Sequence, residues 1–476
     1  MPTTNSTRAS RAEKTSWFIK KNKVSIDRNN LSVYYVTVNS NINQRWFRYD
    51  ASHHSTTAIR RYHMRLTEKQ LEQIRAQIKR VKEFGNPFYT KRFANVNPED
   101  IKTQEDFENL VPFVTKQELR DAYPLGLATV PEEEIVRIHS SSGTTGAPVV
   151  IPYTKKDVED WAIMFARCYE LAGITNKDRI QITPGYGLWT AGIGFQAGCE
   201  RLGAMAVPMG PGNTEKQLQM MQDLKSTVIC ATSSYALLLA EQVEARGLKD
   251  KIHLTKGVIG SERWGEKMRN RIQSILGIEL YDIYGLTECY GPGIGINAVG
   301  EDAISIFDDY VYIEILDPQT GKPVPEGEIG EITLTTLVKE GAPLFRFRTH
   351  DLAAFVKEPS PSGLKYPRIT QILGRSDDMV KVKGNIIFPS TIEDVITTVP
   401  GTSSEYRALI EHVDGKDKMT LSVEVEGGTD RTEVALAIAY NFKQKYNMTP
   451  EVKVVGIGEL PRSEKKTKRI EDKRFD

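Results

Sequence analysis

Between residues 155 and 284 the chain alternates almost without interruption between long amphipathic stretches and short aliphatic runs. Helical patterns at 155–172, 214–224, 235–246 and 265–275 are interleaved with strand patterns at 179–183, 204–208, 227–231, 257–260 and 279–284. Strands that alternate with helices leave few ways to bury both kinds of surface. The solution is a largely parallel sheet covered on both faces, with ligands at the carboxyl ends of its strands.

The flanks extend this α/β core. Upstream, Leu71, Ile74, Ile78 and Val81 fall three to four residues apart over 66–81, with Thr67 and Gln70 spaced as a capping box and Gly85-Asn-Pro87 as a stop. Shorter helices are expected to open at 98–100 and to run over 115–120, followed by a strand at 135–138. Downstream, Pro/Gly-punctuated strands at 311–316, 330–335 and 352–356 make a β-rich unit. Strand patterns at 407–412, 419–425 and 451–456 surround a helix at 432–446 in a third region that starts near Gly374. At 476 residues the chain is too long for one ordinary core. We detect no internal repeat.

Charge and cysteine usage narrow the class. Formal net charge is +1, but residues 1–63 alone carry 11 Lys/Arg against three acids. That Asn/Ser/Thr-rich arm, with one alternating stretch at 31–38, reads as a solvated tail rather than a nucleic-acid-binding segment. No apolar run of about 18 residues is present, which speaks against a membrane span. The polar N-terminus lacks the apolar core of a secretory signal. Cys168, Cys199, Cys230 and Cys289 are scattered, with no C-x-x-C pair. This argues against structural zinc and for free thiols in a reducing cytoplasm.

Several loops share one chemistry. His139-Ser-Ser-Ser-Gly-Thr-Thr-Gly146 packs hydroxyls and glycines ahead of an apolar run, a composition suited to wrapping polyphosphate oxygens. It is not a Walker loop, because Ala147 stands where lysine belongs. Tyr281-Asp-Ile-Tyr-Gly-Leu-Thr-Glu288 supplies a ring for a purine, a hydroxyl for phosphate and a carboxylate for a hard cation such as Mg²⁺. Gly260-Ser-Glu-Arg-Trp264 sits at another strand end. Phe347-Arg-Thr-His-Asp351 ends in a carboxylate able to accept both hydroxyls of a ribose. Gly374-Arg-Ser-Asp-Asp378 and Leu460-Pro-Arg-Ser-Glu-Lys-Lys-Thr-Lys-Arg469 complete the set.

In this order, over about 410 residues, these motifs resemble the adenylate-forming acyl-CoA synthetase superfamily, and most closely its phenylacetate–CoA ligase branch. The resemblance implies a large adenylation domain at 64–373 and a small mobile α+β domain at 374–476. The arm 1–63 has no counterpart in the family's pattern, and Met64 sits where related chains begin. The arm is therefore expected to be disordered, or to lie upstream of the native start. The resemblance further implies that Ser141, Ser142, Gly143, Thr144, Thr145 and Gly146 line the β/γ-phosphates of ATP. Tyr284 would stack on adenine, Thr287 would touch the α-phosphate, Glu288 would hold Mg²⁺, and Asp351 with Arg375 would bind the ribose. Ser261, Glu262, Asp282 and Gly285 join the nucleotide site, and Gly384 takes the thiol-tunnel position for coenzyme A. Homodimerisation is implied as well.

The chemistry implied is activation of a carboxylate as its acyl-adenylate, followed by displacement of AMP by a thiol. Both reactants of the first step are anionic, so the site has to neutralise charge. The family's lysine falls at Lys466, although Lys465 occupies the usual glycine, which leaves Lys465 and Lys468 as competitors. Cys289-Tyr-Gly-Pro-Gly lacks the extra Cys and His of many relatives, so no metal site is inferred there. A carrier protein or an amine is an alternative acyl acceptor. A non-catalytic nucleotide-binding regulator is disfavoured by the intact Glu288, Asp351 and Lys466. Tyr186, Trp189 and Phe195 among Gly185, Gly187, Ala191 and Gly192 suggest a pocket for a flat ring, phenylacetate first, although such residues also serve core packing. Asp377 is the expected hinge.

Overall fold

The computed structural model describes residues 65–476 apart from 142–146, 263, 378–379, 383–384, 388, 414, 462–468 and 475–476. The basic arm and its candidate strand lie outside the described residues. The chain enters on α1 (Glu68–Phe84), whose Thr67/Gln70 capping box forms as the spacing predicts and whose Ile74, Ile78 and Val81 are buried. Helix α2 (Pro87–Arg92) follows. The helix expected to open at 98–100 is only a single 3₁₀ turn. Helix α3 (Gln104–Leu110) starts later, where Thr103 and Asp106 make a second capping box. Helix α4 (Lys116–Asp121) is capped by Thr115 and Glu118.

Strand β1 (Arg137–Ser140) begins two residues beyond the predicted position and pairs antiparallel with β2 (Val150–Tyr153), so the Ser-rich loop joins two antiparallel strands. Then come α5 (Lys155–Leu171), β3 (Arg179–Ile182), α6 (Ala191–Leu202), β4 (Met205–Pro208), α7 (Thr214–Asp223), β5 (Val228–Thr232), α8 (Ser233–Ala245), β6 (Lys256–Gly260), α9 (Glu266–Leu276) and β7 (Glu279–Leu286). Strands β4, β3, β5, β6 and β7 are parallel neighbours, as the alternation requires. Helix α6 has no counterpart among the expected elements, and the glycine-flanked aromatic stretch that holds Tyr186, Trp189 and Phe195 turns helical from Ala191. Its glycines are packing residues: a Cβ at Gly194 would strike Trp161 and Phe165, and one at Gly198 would strike Phe165.

The same sheet continues in an antiparallel half through β8 (Gly291–Asn297) and β9 (Ile304–Ile306), and ends on β13 (Arg368–Ile369). The sequence did not announce β8, because Gly-Pro-Gly-Ile-Gly reads as a turn. The strand is buried throughout and lies so close to β7 that a Cβ at Gly285 would enter the Gly291 carbonyl. A second sheet holds β10 (Val311–Leu316), β11 (Gly330–Thr336), β12 (Phe347–Ala353) and β14 (Gly374–Arg375), all antiparallel. Here the strand expected at 352–356 lies earlier, so that Arg-Thr-His-Asp is inside β12.

The last region contains a hairpin of β15 (Val380–Val382) and β16 (Asn385–Ile387), helix α10 (Pro389–Thr397), β17 (Thr402–Val413), β18 (Lys416–Val425), α11 (Arg431–Tyr446), β19 (Glu451–Gly456) and β20 (Ile470–Asp472). Its sheet runs β19-β18-β17-β20, and Tyr406, Leu421, Val423, Ile438 and Phe442 share a core separate from that of the large sheet. The hairpin, α10 and β20 escaped the sequence reading. The four cysteines are free and buried. Among the described residues no helix is long and apolar enough to cross a membrane.

Candidate active site

The pairing of β12 with β14 sets Asp351 directly across from Arg375. Strand β7 brings Tyr284 to the same carboxylate. Tyr284 OH donates to Asp351 Oδ2 at 2.9 Å, and Arg375 Nη1 donates to Oδ1 at 2.9 Å. Burial, followed by the neighbouring Asp351 charge, pushes the Tyr284 phenol well above its ordinary range, so it stays a donor. The remaining face of the Arg375 guanidinium grips Asp377 through Nε and Nη2, at 2.8 and 2.9 Å. One arginine therefore joins the expected ribose acceptor to the expected hinge. That side-chain hydrogen bond and the Arg375 charge outweigh the opposing effect of burial, and the Asp377 carboxyl titrates below its usual range.

Beyond the strand end, Thr287 and Glu288 are buried. Thr287 Oγ1 lies 3.3 Å from Thr190 Oγ1 at the foot of the aromatic loop. Lys116 Nζ, from the first turn of α4, approaches Glu288 Oε1 to 2.9 Å, although the angles are not those of a hydrogen bond. Nothing in the sequence singled out Lys116, since a lysine after a helix cap is ordinary and its partner is 172 positions away in the numbering. No group of three or more His, Cys, Asp or Glu able to hold a metal occurs among the described residues. A lone buried carboxylate nevertheless fits Mg²⁺, which takes most of its ligands from water and substrate phosphates.

Ser141 closes the neck of the phosphate-type loop. Its N–H donates to Val149 O and its hydroxyl accepts from Val149 N–H, both at 3.0 Å. Residues 142–146, Gly384 and Lys466, which sequence reasoning assigned to phosphates, thiol tunnel and adenylation, lie outside the described residues. Other assigned residues have structural employment. Ser261 takes a left-handed φ of 71°. Glu262 accepts from Ser233 Oγ and Ser234 N–H at 3.0 Å each, holding its charge at the start of α8. Asp282 turns toward α9, where Arg269 is its partner at 3.7 Å. Burial pushes its carboxyl up to about 6. Gly285 serves the close approach of β7 and β8 described above.

The three aromatics assigned to the acid separate. Tyr186 and Trp189 stand on the loop, half-buried, and the Tyr186 hydroxyl is buried without a hydrogen-bond partner among the described residues. Phe195 is only 2% exposed on α6, with its ring centroid 4.9 Å from that of Phe165, inside the main core.

Comparison with known proteins bears on the family of the chain. The AMP-binding enzyme family model matches residues 31–336, and the AMP-binding enzyme C-terminal domain model matches 384–474. The phenylacetate-coenzyme A ligase of Pseudomonas putida is 37% identical over 423 residues, covering 86% of this chain and 94% of that protein. Among solved structures, 2-hydroxyisobutyryl-CoA ligase in the postadenylation state aligns with a TM-score of 0.77 at 27% identity, covering 85% of this chain and 89% of that one. The same ligase in the thioesterification state, over the same shares and at the same identity, aligns at 0.62. The chain belongs to the AMP-binding enzymes, and within them to the phenylacetate–CoA ligase family.

Proposed function

We propose that this protein is an AMP-forming acid–thiol ligase that converts phenylacetate, or a related aryl acid, to its CoA thioester. A carboxylate oxygen of the acid attacks the α-phosphorus of ATP, the phosphoanhydride bond from that phosphorus to the α–β bridging oxygen breaks, and pyrophosphate leaves with the electron pair. The CoA sulfur then attacks the acyl carbon of the adenylate, AMP leaves with the electron pair, and the thiol proton passes to solvent. The observation that carries this reading is the Tyr284–Asp351–Arg375 cluster at the junction of the two sheets. It gathers a ring, a carboxylate acceptor and a cation within hydrogen-bond distance of one another, chemistry that suits the base, ribose and phosphate of a nucleoside monophosphate.

In this reading Asp351 exchanges its present donors for ribose hydroxyls. Thr287 faces the α-phosphate, and Ser141 with residues 142–146 faces the outer phosphates. Glu288 would hold Mg²⁺, which neutralises phosphate charge when bound, and Lys116 would yield that carboxylate to it. Lys466 supplies the further positive charge, Gly384 lines the path of the thiol, and Tyr186 and Trp189 wall the acid. Asp377 is the pivot on which 374–476 turns between the half-reactions. The assembly is a cytoplasmic homodimer. ATP–pyrophosphate exchange with a panel of aryl and aliphatic acids, run with and without CoA, tests the reading. Exchange led by phenylacetate, with thioester formed only when CoA is present, is the expected outcome. Faster exchange with medium-chain fatty acids removes the aryl assignment, and acyl transfer to a carrier protein in preference to CoA removes the acceptor.

A further inference from the structure

His139 is the penultimate residue of β1, the strand that leads into the phosphate-type loop, and its side chain is buried. The imidazole Nδ1 lies 3.1 Å from the carbonyl oxygen of Leu188, and the N–H of Ser140 donates to the same oxygen at 2.8 Å. A carbonyl oxygen can only accept, so the ring proton sits on Nδ1 and Nε2 carries the lone pair. Nε2 has no hydrogen-bond partner among the described residues. The ring stands edge-on to Tyr153 and Trp161, with centroids 5.3 and 5.6 Å apart. Burial also holds the imidazole down to about 4, so it is neutral at working pH.

A phenylalanine would fill this aromatic niche without leaving a buried acceptor unsatisfied, an omission that ordinarily weakens a fold. What histidine adds is the second donor to Leu188 O. Both lone pairs of that carbonyl are then engaged, and the peptide that carries Trp189 is fixed in two directions. Two residues later Thr190 meets Thr287. The loop 184–190 is thus pinned at one point to the strand that feeds the phosphate loop and at another to the threonine placed at the α-phosphate.

We propose that His139 is a positioning residue that couples the acid site to the nucleotide site, so that bound ATP sharpens the affinity for the aryl acid, and bound acid that for ATP. This rests on the reading of 184–190 as the acid-binding loop. It makes a demand that packing alone does not. Stability should rank His139→Phe at or above wild type and His139→Asn below both, because asparagine vacates the ring's space. Coupling should be highest in wild type, nearly as high in His139→Asn and lowest in His139→Phe, because the asparagine amide restores a donor near the Nδ1 position and phenylalanine does not.

The test is initial-rate ATP–pyrophosphate exchange over a grid of ATP and phenylacetate concentrations, with the melting temperature of each protein. For His139→Phe we expect the KM for the acid at saturating ATP to rise roughly 3- to 10-fold, the range of one hydrogen bond. The KM for ATP extrapolated to zero acid should stay unchanged, and the interaction between the two substrates should be lost. His139→Asn should recover most of that interaction despite a lower melting temperature. Equal coupling in wild type and His139→Phe overturns the proposal, as does a loss that follows melting temperature across both variants. If wild type shows no exchange with phenylacetate, the aryl assignment fails. The same grid is then run with the acid that wild type does activate.

Discussion

At the scale of single residues, the Asp351 carboxylate is the most exacting position, since each oxygen already answers one donor, Tyr284 OH or Arg375 Nη1. Asp351→Asn would turn an amide N–H₂ toward one of them and halve the acceptors offered to a ribose. Hydrogen bonds to a charged group contribute roughly 1.5–3 kcal/mol. The KM for ATP should therefore rise roughly 10- to 100-fold, with little change in the KM for the acid. An unchanged KM for ATP would remove Asp351 from the nucleotide site. Asp282 makes a different prediction, about stability. Its folded-state carboxyl is raised from 3.8 to about 6, chiefly by burial, with Arg269 opposing. Below pH 4 the side chain is protonated folded or unfolded and costs nothing. As pH rises through 4 to 6 the unfolded state ionises first, and the native state loses stability relative to it, by roughly 3 kcal/mol at pH 7. Asp282→Asn should cancel this slope, so its denaturation midpoint relative to wild type should climb between pH 4 and 6 and then level off. A difference that is flat with pH would contradict the assignment. Tyr284, Thr287, Glu288 and Asp351 stood out in the sequence as candidates because they carry scarce chemistry in or just beyond strands, Tyr284 in β7, Thr287 and Glu288 just past it and Asp351 in β12. Lys116, Ser141's clasp on Val149 and the partners of Glu262 did not, because each depends on a contact between segments distant in the chain or on a loop's folded path.

At the scale of elements, the capping boxes and helix–strand alternation were readable because they are local. Thr67/Gln70 and Thr115/Glu118 act over three residues, and α5 to β7 repeat one pattern. The failures have a common cause. Helix α6 and strand β8 are rich in glycine, which reads as loop, yet here glycine permits close packing. Helix α5 lays Trp161 and Phe165 against Gly194 and Gly198, and β7 lies on Gly291. Gly198→Val would drive a branched side chain into Phe165. Overpacking of this kind costs about 1–3 kcal/mol, so the melting temperature should fall by several degrees while the fold persists. A melting temperature equal to that of wild type would mean that α5 and α6 can separate freely.

At the scale of the whole molecule, the last region meets the large one through Lys267. Its ammonium, on α9, approaches Ile396 O, Val399 O and Thr402 O at 3.2–3.4 Å and Thr402 Oγ1 at 2.6 Å, where α10 ends and β17 begins. A cation suits the carbonyl end of a helix. A contact that fixes one position of the last region should tell on one half-reaction more than on the other. Lys267→Met should then slow ATP–pyrophosphate exchange by roughly tenfold, about the effect of one charged hydrogen bond, and spare thioester formation from supplied acyl-adenylate. Equal slowing of both would make the contact merely structural. A change of pattern near Gly374 led the sequence reading to expect a boundary there, but this contact has no local signal that could encode it.

A site of this kind makes a thioester by way of an acyl-adenylate and releases AMP. Purified protein given phenylacetate, ATP, Mg²⁺ and CoA should form phenylacetyl-CoA, AMP and pyrophosphate in equal amounts, followed by chromatography and mass spectrometry. Omitting CoA should leave pyrophosphate exchange intact and abolish the thioester. Formation of ADP and phosphate instead, or nucleotide turnover without acyl transfer to CoA, would contradict the account.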